Sequence, residues 1–169
     1  DLVQRFKLIS AELEGSQISS FELKLFILEK LRLIASQYQQ FLSIEVVGEE
    51  VQVLNYPDVL LTVLEQLVKN TAEHKPENLT TVQAEIAISV ENEWVNIVYT
   101  DNGMGISEQI RERIFDPFFT TKGVNEGTGL GLSISHGIIE KHGGSISVES
   151  QEGVGTCFTI DLPLKADAN

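Results

Sequence analysis

The chain has 169 residues, 42% of them hydrophobic, a formal net charge of −13 and one cysteine. So acidic a chain repels a phosphate backbone, and no Lys/Arg cluster reverses the field locally, so nucleic acid is excluded as a partner. A single cysteine permits no internal disulfide, no run approaches the roughly 20 apolar residues of a membrane span, and residues 1–10 lack a secretory pattern, which together predict one compact domain in a reducing compartment.

In DLVQRFKLISAEL the apolar residues Leu2, Phe6, Ile9 and Leu13 recur at spacings of four, three and four, one face of a helix and also a short coiled-coil seam. Gly15 and Ser16 interrupt it, and the start at Asp1 suggests a fragment. SSFELKLFILEKLRLIASQY opens on serine and carries Leu23, Phe26, Ile27, Leu31 and Ile34 on one stripe, which predicts a serine-capped helix lying on a sheet. LSIEVVGEEVQVLN alternates about Gly48 and predicts a hairpin. Pro57 and Asp58 then begin a helix that ends near His74, before Pro76.

TVQAEIAISVENEWVNIVYTDNG predicts two strands, 82–90 and 94–100, joined by the polar turn Glu91, Asn92, Glu93. GISEQIRERIF is a short helix, and 116–128 is loop-like. GLGLSISHGIIEKHGG predicts a helix that starts among glycines and stops at Gly143, and SISVESQEGVGTCFTIDLP a last hairpin ending at Pro163. Cys157, in an alternating run, reads as a small buried side chain, and residues 165–169 as a frayed tail.

Three clusters carry possible chemistry. In DNGMGI, Asp101 ends a hydrophobic strand and Gly103 and Gly105 follow. Such a carboxylate can accept a hydrogen bond from an exocyclic amine while glycines let a flat ring approach the backbone, or the segment is a plain turn. In EGTGLGLSISHGII, Gly127, Gly129 and Gly131 precede an apolar-periodic helix. Free amides at a helix start, with the positive end of its dipole, suit a phosphate, or the glycines make a tight helix entry. The spacing is neither the dinucleotide nor the P-loop pattern. Lys122, just upstream, could reach the same anion.

The third cluster is the helix LEQLVKNTAEH. At about 100° per residue, Thr62, Gln66, Lys69, Asn70, Glu73 and His74 share one face and Leu60, Leu64, Leu67 and Thr71 the other. The amide oxygen of Asn70 is a suitable hard ligand for a magnesium ion bound chiefly through nucleotide phosphates.

The succession EQLVKNTAEH, DNGMGI, IFDPFFTTK, GTGLGLSIS, HGGSISVES and GVGTCFTIDLP resembles the catalytic, ATP-binding domain of two-component sensor histidine kinases, of the GHKL superfamily that includes DNA gyrase and MutL. The resemblance runs from about Ser19 to Leu164, and the short stretch between Lys122 and Gly127 and the VKN are most similar to the nitrogen-regulation and oxygen-sensing kinases. It implies the Bergerat fold, a two-layer α/β sandwich with a mixed, mostly antiparallel sheet covered on one face by helices, over residues 16–164. It implies ATP and Mg2+ as cofactors. Asn70 would ligate magnesium, Asp101 would take the adenine amino group, Gly103 and Gly105 would bound the adenine pocket, and Thr156 would back up Asp101 through a hydroxyl or a bridging water. Gly127, Thr128, Gly129, Leu130 and Gly131 would close over the phosphates as a lid, with Lys122, Lys69 and Glu73 beside them. Phe115, Phe118 and Phe119 would be either a hinge and docking surface for the phosphoacceptor domain or core packing.

The departures have chemical consequences. Many such kinases have Asn at the position of Gln66 and Lys at that of Glu73, so a phosphate-binding cation from the helix is absent, and Lys69 and Lys122 are left to compensate. Hydrolytic relatives use a glutamate at the position of Gln66 to activate water, which a neutral amide cannot do. Glu65 projects about 100° away and is no substitute. None of the three histidines, His74, His136 and His142, lies in the family's phosphoacceptor pattern. The resemblance therefore implies an acceptor histidine on a separate dimerisation domain of the same protein, a homodimeric parent, and a response regulator downstream. Residues 1–15 would be the end of that upstream helical hairpin or would fold back on the domain. The setting would be cytoplasmic, in a parent free to be membrane-anchored. The alternatives are a nucleotide-sensing module without catalysis, or a hydrolytic ATPase of the same fold.

Overall fold

The computed structural model describes residues 15–122 and 128–167, so the seam at residues 2–13 and the expected phosphate-site residue Gly127 lie outside the described residues. In chain order the elements are β1 (Ser19–Glu22), α1 (Leu23–Ile34), a short 3-10 turn (Ala35–Tyr38), β2 (Leu42–Gly48), β3 (Gln52–Asn55) and α2 (Pro57–Glu73). There follow β4 (Val82–Glu91), β5 (Trp94–Asp101), the one-turn α3 (Glu108–Arg111), α4 (Gly131–Lys141), β6 (Ser145–Gln151) and β7 (Gly155–Pro163).

Alternation along the strands builds a sheet with one apolar face. β2, β4, β5, β7 and β6 lie side by side in that order, and β1 and β3 form a separate two-stranded ribbon. Only β2 and β4 run parallel; the other pairs of the large sheet are antiparallel. Ile86 and Ile88 of β4, Val95, Ile97 and Tyr99 of β5, and Phe158, Ile160 and Leu162 of β7 point into the core. Against them α2 sets Val59, Leu60, Val63, Leu64 and Leu67, α1 sets Leu23, Ile27 and Leu31, and α4 sets Ile138 and Ile139. Each such aliphatic side chain stabilises the fold by about 1.5–3 kcal/mol relative to an exposed one. The result is the expected two-layer α/β sandwich with a mixed, mostly antiparallel sheet.

Two local expectations fail for one reason. The serines read as a helix cap form β1, with Ser19 opposite Asn55 and Ser20 opposite Leu54. The amides at the start of α1 are capped instead by the Glu50 carboxylate, which accepts from Lys24 N at 2.8 Å and Leu25 N at 2.9 Å. Nor do β2 and β3 form a hairpin. β2 lies along β4, Leu42 opposite Val82 and Gly48 opposite Ile88, while β3 turns away to β1. Alternation states which face a strand buries and leaves its partner open.

The tail is held as far as it is described. Leu164 N donates to Glu93 O at 2.8 Å, Ala166 N donates to Leu54 O at 2.7 Å, and the Tyr56 hydroxyl donates to Asp167 O at 2.8 Å. Through Asp167 the described part of the tail runs alongside β3, Lys165 bridging to Leu54. Cys157 lies on the outer side of the sheet at intermediate exposure, not buried, because the inward positions of β7 are the even-numbered ones.

Candidate functional site

At the end of β5 the backbone leaves the sheet at Asp101, whose carboxylate has two donors within the protein. Thr71 Oγ1, from α2, donates to Oδ2 at 2.8 Å, and Gly103 N donates to Oδ1 at 2.9 Å. Thr71 Oγ1 also lies 2.8 Å from the Tyr99 hydroxyl. Both hydroxyls are buried, with Thr71 4% and Tyr99 0% exposed. Burial raises the Tyr99 phenol above its ordinary value, and the Asp101 charge adds to the rise.

The turn after Asp101 is pinned on both sides. Met104 N donates to His74 O at the end of α2, Ile106 N donates to Ser150 Oγ at 2.8 Å, and Gly153 N donates to Met104 O at 2.7 Å. Gly105 is required here: its φ is +68°, and a Cβ would lie 2.0 Å from Gln151 O. Asp101 faces Thr156 across the β5–β7 ladder, but Thr156 does not bond it directly. Ser150 Oγ gives its only proton to Gly155 O, so Thr156 donates to Ser150 at 2.9 Å. The hydroxyl behind Asp101 is that of Thr71. An open cavity of about 680 Å³ is lined here by Asp101, Ser150, Gly155, Thr156 and Arg111, among others; Asn70 and Lys122 do not line it.

The other expected residues gather where α2 meets the start of α4. Gln66 Nε2 donates to Asn70 Oδ1 at 2.8 Å. Gly131, the first residue of α4, packs on the same side chain so closely that a Cβ would lie 2.0 Å from Gln66 Oε1. Glycine at this position thus lets α4 approach the amide pair. Glu73, one turn after Asn70, forms an ion pair with Lys122 from the segment before α4 and lies 3.9 Å from Lys69. Thr128 is exposed and its hydroxyl accepts from Leu130 N at 3.3 Å. Leu130 is only 4% exposed, so its side chain belongs to the packing of this segment. Gly129, at φ +65°, rests against the Phe118 backbone.

The structure divides the phenylalanines. Phe115 and Phe119 pack against the core, Phe115 beside the His136 ring at 4.9 Å and Phe119 under the Arg113 guanidinium at 4.6 Å. Phe118 projects outward, 56% exposed, at φ +68°. The histidine rings are engaged structurally: His74 Nδ1 is 2.9 Å from Asn70 O, His142 Nδ1 is 2.7 Å from Ile138 O, and His136 lies 3.5 Å from Glu140. Among the described residues no group of three or more His, Cys, Asp or Glu could hold a metal by itself, and no helix is long and apolar enough to cross a membrane.

Sequence reasoning missed Thr71 and Tyr99, which sit on the apolar stripe of α2 and an inward position of β5. The available signal was that two hydroxyls at core positions must find partners.

Similarity to known proteins agrees with this fold. Residues 55–166 match the family of histidine kinase-, DNA gyrase B- and HSP90-like ATPases. The chain is 54% identical over 70 residues, 41% of its length, to the sensor histidine kinase ZraS of Escherichia coli K12, and 40% identical over 115 residues, 66% of its length, to sporulation kinase E of Bacillus subtilis. It spans only 15% of each of those proteins. Its fold superposes with a TM-score of 0.74 on the nucleotide-free catalytic domain of histidine kinase ThkA, at 31% identity, over 88% of this chain and 97% of that one. The chain belongs to the histidine kinase-, DNA gyrase B- and HSP90-like ATPase family, as a catalytic domain of the sensor-histidine-kinase kind.

Proposed function

We propose that this domain binds ATP with magnesium and transfers the γ-phosphoryl group to a histidine on a separate dimerisation domain of the same, homodimeric protein, for relay to a response regulator. The observation that carries the reading is the Asp101 carboxylate, held as an acceptor at a strand end beside Gly103 and Gly105, with Asn70 and the start of α4 on the neighbouring side of α2. Adenine would offer an amine to Asp101, and the phosphates would extend toward Asn70, Lys69, Lys122 and the 128–131 segment. Asn70 would hold magnesium through Oδ1, a hard oxygen whose orientation Gln66 restrains. When bound, the ion supplies charge neutralisation along the phosphates. The side chains of the domain contribute positioning: Asp101 orients the base, the amides at the start of α4 and Lys122 take phosphate charge, and no residue acts on the transferred group covalently.

Residues 16–164 are the ATP-binding unit in this reading, extended to Asp167 by the packed tail. Residues 1–15, by the seam spacing of their apolar positions, belong to the acceptor hairpin, and Phe118 is a docking residue for it. The VKN sequence and the short stretch after Lys122 favour a kinase of the nitrogen-regulation and oxygen-sensing type. A nucleotide-sensing module without catalysis is the second reading, favoured by Glu73 neutralising the lysine that would otherwise meet phosphate.

Incubation with γ-labelled ATP, magnesium and a separately supplied acceptor domain discriminates the readings. Labelled acceptor histidine is the expected result. Magnesium-dependent binding with no transfer supports the sensing module, and repeated release of free phosphate supports an ATPase.

A further inference from the structure

We propose that Thr71, with Tyr99 behind it, is a specificity-determining positioning residue that commits Asp101 to purines presenting an amine rather than a carbonyl at C6. The inference rests on Asp101 meeting the base, as proposed above, and goes beyond it by assigning the cause of the selectivity. Proton counting sets the direction of the network. An ionised carboxylate has no proton to give, so the single hydroxyl proton of Thr71 goes to Asp101 Oδ2 at 2.8 Å. Thr71 Oγ1 is then an acceptor, and the Tyr99 hydroxyl, 2.8 Å away, must be its donor. The chain Tyr99 to Thr71 to Asp101 therefore runs one way. Its two hydroxyls are buried, so water does not compete for them, and the raised ionisation of the phenol keeps Tyr99 a donor.

Gly103 N holds the second carboxylate oxygen at 2.9 Å. With a protein donor on each oxygen the carboxylate plane is set, and the lone pairs that remain can only accept. Adenine supplies a donor there. Guanine presents a carbonyl oxygen in the equivalent position and would meet a fixed anion. Without the Thr71 hydroxyl the carboxylate keeps one protein partner, can rotate, and can recruit a water that offers a proton to that carbonyl. Selectivity then falls even though Asp101 is present.

The test is the ratio of Kd for GTP to Kd for ATP, measured with magnesium on the chain and three variants. Thr71→Val keeps the shape and deletes the donor; it should lower the ratio about tenfold, the size expected for one hydrogen bond to a charged group. Thr71→Ser restores the hydroxyl and should stay within about twofold of the unsubstituted chain. The double variant Thr71→Val with Tyr99→Phe removes the phenol that the first would orphan, and should show the same lowered ratio with thermal stability recovered. A ratio unchanged in Thr71→Val, or lowered equally in Thr71→Ser, overturns the inference and leaves the proposed function standing. An unsubstituted chain with no preference for ATP overturns the adenine assignment of Asp101 and this inference together.

Discussion

The two ends of the candidate site are built differently. At the end proposed for the base, Asp101 accepts from Thr71 and Gly103, the turn after it is tied to α2 and to the β6–β7 hairpin, and the hydroxyls behind it are buried in the core. At the end proposed for phosphate the contacts are between charged or amide side chains: Lys69 is 56% exposed, and Glu73 and Lys122 are one-third and one-quarter exposed. A network anchored on buried hydroxyls holds one geometry, whereas partly exposed ion pairs are weak and exchange partners readily. Under the proposed function, base recognition is preformed, while the charges proposed to meet phosphate are satisfied by one another and must be released.

The largest effects are expected at the rigid end. Asp101→Asn replaces an acceptor-only group with one that also donates, and should raise the Kd for ATP about 100-fold while erasing the preference over GTP. Titration calorimetry with both nucleotides checks this, and a retained preference would mean that Asp101 does not read the base. Asn70→Ala should weaken binding about tenfold when magnesium is present and far less in its absence, with an unchanged circular dichroism spectrum. An equal loss in both conditions would remove the metal role from Asn70.

Two smaller effects sharpen the contrast. Gly131→Ala puts a Cβ onto the Gln66 amide, which must swing off Asn70. The expected outcome is about a threefold loss of the magnesium-dependent part of the affinity, with magnesium-free binding little changed, since the disturbed contact is a neutral hydrogen bond. Glu73→Gln should act in the opposite direction: releasing Lys122 tightens ATP about twofold, an effect that fades in high salt as expected for a partly exposed ion pair. Weaker binding in this variant would show instead that Glu73 helps to hold nucleotide.

Much of the scaffold was legible because its signals are local. The period of α2, with Pro57 at its start, marked its limits, and the alternating runs on either side of Glu91–Glu93 and before Pro163 marked the β4–β5 and β6–β7 hairpins. The features that were not legible all depend on partners distant in sequence. They include β1 in place of a capped helix start, the Glu50 cap, the parallel pairing of β2 with β4, and the tail bound to β3. The site divides in the same way. Asp101, Gly105, Gln66 and Asn70 stood out as polar or glycine residues in patterned segments, while Thr71 and Tyr99 were hidden by lying where apolar residues belong.

By itself the sequence determined the order of the elements, the apolar face of each, and the residue types brought to the strand end and to the exposed face of α2, because periodicity and backbone preference act within a few residues. Only the tertiary structure decided which strands pair, which donor serves Asp101, and that Lys122 rests on Glu73. A hydrogen bond or an ion pair needs its two atoms within a few ångströms, and that proximity is a property of the packed layers rather than of either residue's neighbours along the chain.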